Sequence, residues 1–437
     1  MVAGNPDASQ SETARHDFAP DMRSRDRAIE DRPGQKHHKL KRAAAAVLAP
    51  VAATRLAYQF VKYPDRYKDI ADFGALYEWW SRYRTGRPLW NVPMRDLGSA
   101  LRVSLPCNYT PAFVVAFAPM SLLPTPYAWW VWQIAMLACL IGAVFVLARS
   151  IDLPLDNVDF AIFASLVFLF PPLYGALMLG QFTELLLLLS LLCWTSARRK
   201  NHVLAGGFLA MVALLKLFPA ALAGYFLARR QFRPLVWGTA VFILGVYLSG
   251  IGNWFDWISN GTRFSLAQSW QLPIGQHFSV LSNVSALVRN ATGAGGAIVY
   301  VTAGSIDLAI IATAALCSTR SGDDADADGL SFGIWLLAAP LLSPLAWGYE
   351  LLLAVPAGFF AAMSSREIFN RGRWRDPNFI IGVALIAVIC PGLYLFRDRA
   401  AFGDRFFAAL ALFAGSALIL KARIDLSQSA DDTAIFR

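Results

Sequence analysis

Charge is scarce in this sequence. Asp, Glu, Lys and Arg make up 16% of its 437 residues, against roughly a quarter in a soluble globular chain. Cysteine and histidine are rarer still, at five residues each. Cys107, Cys139, Cys193, Cys317 and Cys390 contain no C-x-x-C pair and mostly lie in apolar runs. That argues against a disulfide framework or zinc site and for small-residue packing. No His/Cys/Asp cluster has metal-ligand spacing, so no metal or cofactor is expected. A P-loop, a G-x-G-x-x-G and a G-x-S-x-G are all missing, so a soluble nucleotide-type donor has no evident cradle. RNA-binding motifs are missing too, and the net charge of +9 is not taken as a sign of a nucleic-acid partner. The first 38 residues lack an apolar h-region and so do not read as a cleaved signal peptide.

What the chain has in abundance is apolar sequence. Hydrophobic residues are 56% of the total, mean hydropathy is +0.45, and apolar runs recur from Ala43 to Leu420. This pattern predicts an all-α, polytopic helical membrane protein; a membrane β-barrel would show short alternating segments. Residues 1–38 read as a disordered cytoplasmic tail, 39–423 as one transmembrane domain, and 424–437 as a cytoplasmic C-terminal tail. Basic clusters at 198–200, 229–233, 366–375 and 421–423 can all be cytoplasmic if the apolar, proline-interrupted segment 109–124 re-enters rather than crosses. Spans then start near Ala43, Tyr127, Val158, Phe182, Val203, Leu217, Pro234, Ala297, Ser331, Leu345, Asn378 and Phe402, about twelve in all. Several are short and form hairpins whose tips carry Gly180-Gln181, Lys216 and Ser343-Pro344. Short helices at membrane depth usually line a cavity, because their freed backbone groups need partners.

The long first outer loop holds Asp69-Ile-Ala-Asp72-Phe-Gly-Ala-Leu-Tyr-Glu-Trp-Trp-Ser-Arg-Tyr-Arg84. At helical period Ile70, Phe73, Tyr77 and Trp80 share one side, which predicts a surface helix lying aromatic side down on the membrane. Asp69 and Asp72 share a face; on this stretch alone they read first as N-terminal acids favoured by the helix dipole. Charges inside apolar segments are few: Glu184, Lys216, Asp307 and Glu350. Such charges are costly and are usually functional or paired. Lys216 could hold an anionic headgroup or phosphate, or simply snorkel to the interface. The second long outer loop carries His277 and Arg289, and a lone loop histidine is most often merely solvated.

In order along the chain stand Asp72-Phe73, Gly86-Arg87-Pro88-Leu89-Trp90, Tyr109-Thr110-Pro111, Pro119-Met-Ser-Leu-Leu-Pro124, Gly180-Gln181, Ala205-Gly206 with Lys216, the loop from Gln276 to Arg289, and Ser343-Pro344-Leu-Ala-Trp347. This series resembles the family 87 glycosyltransferases, integral-membrane enzymes of the GT-C class, over roughly residues 69–360. The resemblance implies an inverting transfer of a sugar, mannose first, from a polyprenyl-phosphate donor to a lipid-linked or glycan acceptor. The reaction would lie on the outer side of the plasma membrane, with Asp72 as general base. It implies Lys216, Gln181 and Arg289 around the donor phosphate, and Asp69, Tyr109, His277, Trp347, Tyr349 and Glu350 around the substrates. Two departures stand out. Thr110 occupies a position where the family usually has proline, and Tyr349 or Glu350 takes the place of a histidine that usually follows the Ser-Pro-x-x-Trp motif. The competing expectation is a non-catalytic carrier or flippase of a lipid-linked sugar. No inverted or parallel repeat is visible to support it.

Overall fold

The computed structural model describes residues 33–62, 71–90, 107, 109–150, 156–261, 279–292, 296–322, 324–344, 346–395 and 404–435. Among them every regular element is helical. The chain begins with α1 (Pro33–Lys62) and α2 (Ala71–Arg84), continues through α3 (Pro111–Phe117) and a 3-10 turn (Ala118–Leu122), and enters α4 (Thr125–Arg149). Next come α5 (Asn157–Leu169), α6 (Pro171–Leu179), α7 (Thr183–Arg198) and α8 (His202–Leu215). A 3-10 turn (Phe218–Ala221) leads to α9 (Leu222–Ala228), α10 (Phe232–Leu248) and α11 (Ile251–Asp256). After α12 (Val280–Thr292), α13 (Ala297–Arg320) and α14 (Ala325–Leu342), a 3-10 segment (Gly348–Ala354) runs into α15 (Val355–Asn370). The chain closes with α16 (Pro377–Leu395) and α17 (Asp404–Ile435), which covers most of the segment expected to be a C-terminal tail.

A helix falls at each of the twelve expected spans, and not all of them have the length and apolarity of a full span among the described residues. Among the described residues six helical stretches are long and apolar enough to cross a bilayer, or eight if two bent pairs are each taken as one span. The bends are 54° between α5 and α6 and 97° between α10 and the segment Ile251–Gly261. Between them α8 and the stretch Phe218–Ala228 are short apolar helices. At 1.5 Å per residue, the 14 residues of α8 extend roughly 21 Å, short of the roughly 30 Å hydrocarbon layer. Much of the apolar surface of these short helices is in contact with protein, although Val203, Leu204, Met211 and Leu227 remain exposed. Buried residues on α8 include Ala205, Gly206, Leu209, Val212 and Leu215, and burial in a core and immersion in lipid select the same side chains.

The 109–124 segment contains no helix long enough to span a bilayer. Its seven-residue α3 and five-residue 3-10 turn fold back against α2 and each other. The surface helix α2 forms as expected, but its aromatic face is turned into the protein rather than onto lipid. Phe73, Leu76 and Trp80 are fully buried. Phe73 meets Trp129 edge-on at 5.0 Å, and Trp80 lies 5.2 Å from Trp132 and 6.1 Å from Phe113. Edge and tilted contacts of this kind are worth about 0.5–1.5 kcal/mol each beyond area burial, so α2 is clamped to α3 and α4. That clamp fixes where Asp72 sits.

Candidate active site

Asp72 lies in the first turn of α2, next to the buried Phe73. Facing Phe73 is the end of α6, which terminates at Gly180 in the left-handed conformation, φ +69°. A side chain there would be strained in backbone, and its Cβ would stand 2.8 Å from Phe73 and 2.9 Å from Trp129. Glycine therefore lets α6 end hard against α2. The turn is tied by Gln181 N–H to Ala176 O at 2.9 Å, Trp132 Nε1 to Gly180 O at 2.7 Å and Gln133 Nε2 to Leu177 O at 2.7 Å.

Gln181 is delivered by this turn straight to Asp72. Its Nε2 donates to Asp72 Oδ2 at 2.8 Å, and its Oε1 accepts the Tyr109 hydroxyl at 2.8 Å. The amide is thus oriented by its two neighbours, and it holds one carboxylate oxygen of Asp72 while leaving Oδ1 for another proton. Gln181, expected beside the donor phosphate, is here bonded to Asp72 and Tyr109. Burial raises the Asp72 pKa above the ordinary aspartate value, while the Gln181 bond and the nearby Lys216 charge pull it part of the way back. A carboxylate made more basic but still ionisable suits proton abstraction near neutral pH.

Lys216 terminates α8 in extended backbone, with its N–H on Val212 O. Its ammonium sits among four rings, 5.5 Å from Tyr109, 5.8 Å from Phe182, 5.4 Å from Phe218 and 5.6 Å from Tyr349. It is a paired charge: Glu350 Oε1 is bound to its Nζ. The other oxygen of Glu350 accepts the Trp347 N–H at 3.1 Å. Thus the two residues after Ser343-Pro344 that depart from the family pattern, Tyr349 and Glu350, both touch Lys216. The other departure is used as well. Thr110 caps α3 through Phe113 N at 3.3 Å and donates to Leu214 O at the end of α8. A proline there would leave that carbonyl without the donor.

The structure accordingly joins Asp72, Gln181, Tyr109, Lys216, Tyr349 and Glu350, and sets Trp347 beside them. Arg289 stands in the last turn of α12, a helix whose other end reaches the same region through Ser282 Oγ to Pro344 O at 3.1 Å. Asp69 and His277 lie outside the described residues. Glu184 is buried in the first turn of α7, and neither of its carboxylate oxygens has a hydrogen-bond partner among the described residues. Asp307 Oδ1 likewise has none. Sequence reasoning missed Phe182 and Phe218. The signal was present: each aromatic follows a polar hairpin tip within two residues.

Comparison with known proteins gives the family. The model of glycosyltransferase family 87 matches residues 108–344. A polyprenol-phosphate-mannose-dependent alpha-(1-2)-phosphatidylinositol pentamannoside mannosyltransferase of Mycolicibacterium smegmatis is 28% identical over 259 residues, 58% of this chain and 60% of the relative. A Mycobacterium tuberculosis protein of the same description is 26% identical over 266 residues, 58% of this chain and 57% of its own length. The matched region thus spans less than two thirds of either relative. Asp72 lies just before the matched segment and Glu350 just after it, while Tyr109, Gln181 and Lys216 fall within it. This multi-pass, all-helical chain belongs to glycosyltransferase family 87.

Proposed function

We propose that this protein transfers mannose from a polyprenyl phosphate to a hydroxyl of a glycolipid acceptor on the extracytoplasmic side of the plasma membrane, with inversion. The observation that carries this reading is the hydrogen-bonded chain Tyr109–Gln181–Asp72 standing beside the Lys216 ammonium. Asp72 takes the acceptor hydroxyl's proton as its oxygen bonds to the sugar C1. The C1–O bond to phosphate breaks, and its electron pair leaves on the phosphate oxygen. Lys216 supplies the cation for that developing charge, and the rings around it exclude water and strengthen the attraction. Gln181 and Tyr109 hold the base in place. Family membership and the names of both relatives support the donor class and a phosphatidylinositol-mannoside type of acceptor.

The test is sugar transfer by purified protein supplied with saturating polyprenyl-phosphate mannose and a phosphatidylinositol mannoside. Release of polyprenyl phosphate is the readout. Asp72→Asn keeps the shape and accepts the Gln181 bond, but cannot take the proton. It is expected to bind donor and to lose about 10²–10⁴ in rate. Undiminished turnover by Asp72→Asn would remove the catalytic base from this reading, and a wild-type protein that moves lipid-linked sugar without transferring it would make the chain a carrier.

A further inference from the structure

We propose that Glu350 is a displaceable counterion: it neutralises Lys216 in the resting site, and the anionic head of a prenyl phosphate must push it aside to bind. Glu350 then sets how tightly donor and spent carrier are held. The inference rests on the reading of Lys216 as the phosphate site.

The geometry points this way from three directions. First, Glu350 is fully buried, whereas the Lys216 side chain is 18% exposed. An anion therefore arrives on the lysine's side, with the carboxylate behind. Second, the ammonium has three N–H donors and one carboxylate partner; its other surroundings are ring faces, which attract a cation but accept no strong hydrogen bond. Donors thus remain through which an incoming phosphate oxygen first engages Lys216 before it takes over the one that Glu350 holds. Third, Glu350 has its own anchor in the Trp347 N–H. Its second oxygen stays satisfied when the first is displaced, so release from Lys216 does not leave the whole carboxylate without partners.

The consequence is selectivity between donor and product. The donor is a phosphodiester with one negative charge. After the C1–O bond breaks, the carrier is a phosphomonoester, with a second ionisation at about pH 6. The product is thus the more highly charged anion beside the Glu350 carboxylate, and is repelled more strongly. Glu350 weakens both ligands and weakens the spent carrier more, which favours its release.

The test measures binding, not turnover. Farnesyl phosphate, a short prenyl phosphomonoester, is titrated into full-length protein in lipid nanodiscs, followed by tryptophan fluorescence. Glu350→Gln removes the charge and keeps an oxygen for the Trp347 N–H; Glu350→Met, of similar volume, serves if the first variant fails to insert. Either is expected to bind farnesyl phosphate about tenfold or more tightly than wild type, since a like charge near the anion is costly. The spent carrier should become a correspondingly stronger inhibitor of transfer. Unchanged or weaker binding by a folded variant overturns the counterion. If wild type binds and transfers normally in that case, only this inference falls. If wild type itself binds no farnesyl phosphate, the phosphate-site reading falls with it.

Discussion

Each polar residue at the site has a partner that sequence spacing could not supply. Tyr109 and Gln181 are 72 positions apart and Lys216 and Glu350 are 134 apart, so only the fold pairs them. The pairings make residue-scale predictions. A Gln181→Leu variant loses the bond that lowers the Asp72 pKa. A raised base pKa moves the acidic limb of activity upward, because the base must be deprotonated to act. The limb of kcat/KM in wild type should therefore stand above the ordinary aspartate value, and in Gln181→Leu it should stand higher again. A pH profile that does not move would separate Gln181 from the base. Lys216→Ala is expected to weaken donor use by about ten- to a hundredfold, the worth of one charge-assisted contact of about 1.5–3 kcal/mol. Lys216→Arg should retain part of the activity. Unchanged donor kinetics would mean that Lys216 serves only to neutralise Glu350. For Glu184, buried without a hydrogen-bond partner among the described residues, a neutral isostere removes a group that is expensive to bury charged. Glu184→Gln should leave the melting temperature equal or higher, and a marked fall would point to an unseen partner.

Close approaches between backbones set the relations among elements, and glycine makes them possible. Gly206 on α8 faces Gly238 on α10: a Cβ at Gly206 would stand 2.5 Å from Pro234 O and 2.6 Å from Gly238 N. Small residues at such crossings let helices pack tightly where lipid supplies no hydrophobic drive. The Ala205-Gly206 pair, quoted above as part of a family motif, is thus a packing device that holds α8 and with it Lys216. Gly206→Val is expected to spread α8 from α10, lowering thermal stability and disturbing donor affinity together; a stable, fully active variant would show that the crossing tolerates separation. Gly180 acts at the other side of the site, where the left-handed turn and a packing against Phe73 too close for a Cβ bring Gln181 to Asp72. The aromatic period of α2 was legible in the sequence, and so was its helix. The surface it covers was not, because an aromatic face suits a lipid interface and a ring-lined core equally well.

Over the whole molecule the two ends of the helices differ in kind. The candidate site gathers the start of α7, the end of α8 and the segment after α14. The opposite ends of these helices carry paired charges. Asp328, at the start of α14, accepts from Trp194 at 3.0 Å and Tyr225 at 2.6 Å, and pairs with Arg229 at 3.0 Å. Nearby, Arg423 pairs with Asp324 at 2.8 Å. Asp328→Ala leaves Arg229 and two buried donors short of an acceptor, and removing one partner of such a pair costs about 3–5 kcal/mol. The melting temperature should fall accordingly, and a fall no larger than that of an exposed substitution would show the cluster to be peripheral. The same polarity predicts sidedness. A cysteine placed at the exposed Ser259 should label from outside, and one placed at the exposed Arg199 only from the cytoplasm; the reverse pattern would put the candidate site on the wrong face for a lipid-linked donor. Exposed apolar residues such as Val236, Ile243, Val301 and Leu308 give α10 and α13 faces suited to lipid. The sequence by itself determined the class, because 56% apolar composition in long runs permits only helices in a bilayer. It also marked the polar hairpin tips, since polar residues are exceptional there. Which apolar helices are packed inside the protein was decided by the tertiary structure, because apolar side chains buried in protein and apolar side chains facing lipid are chemically alike. So was the pairing of Lys216 with Glu350 and of Gln181 with Asp72, because a hydrogen bond depends on where distant segments meet, and local sequence carries no record of that.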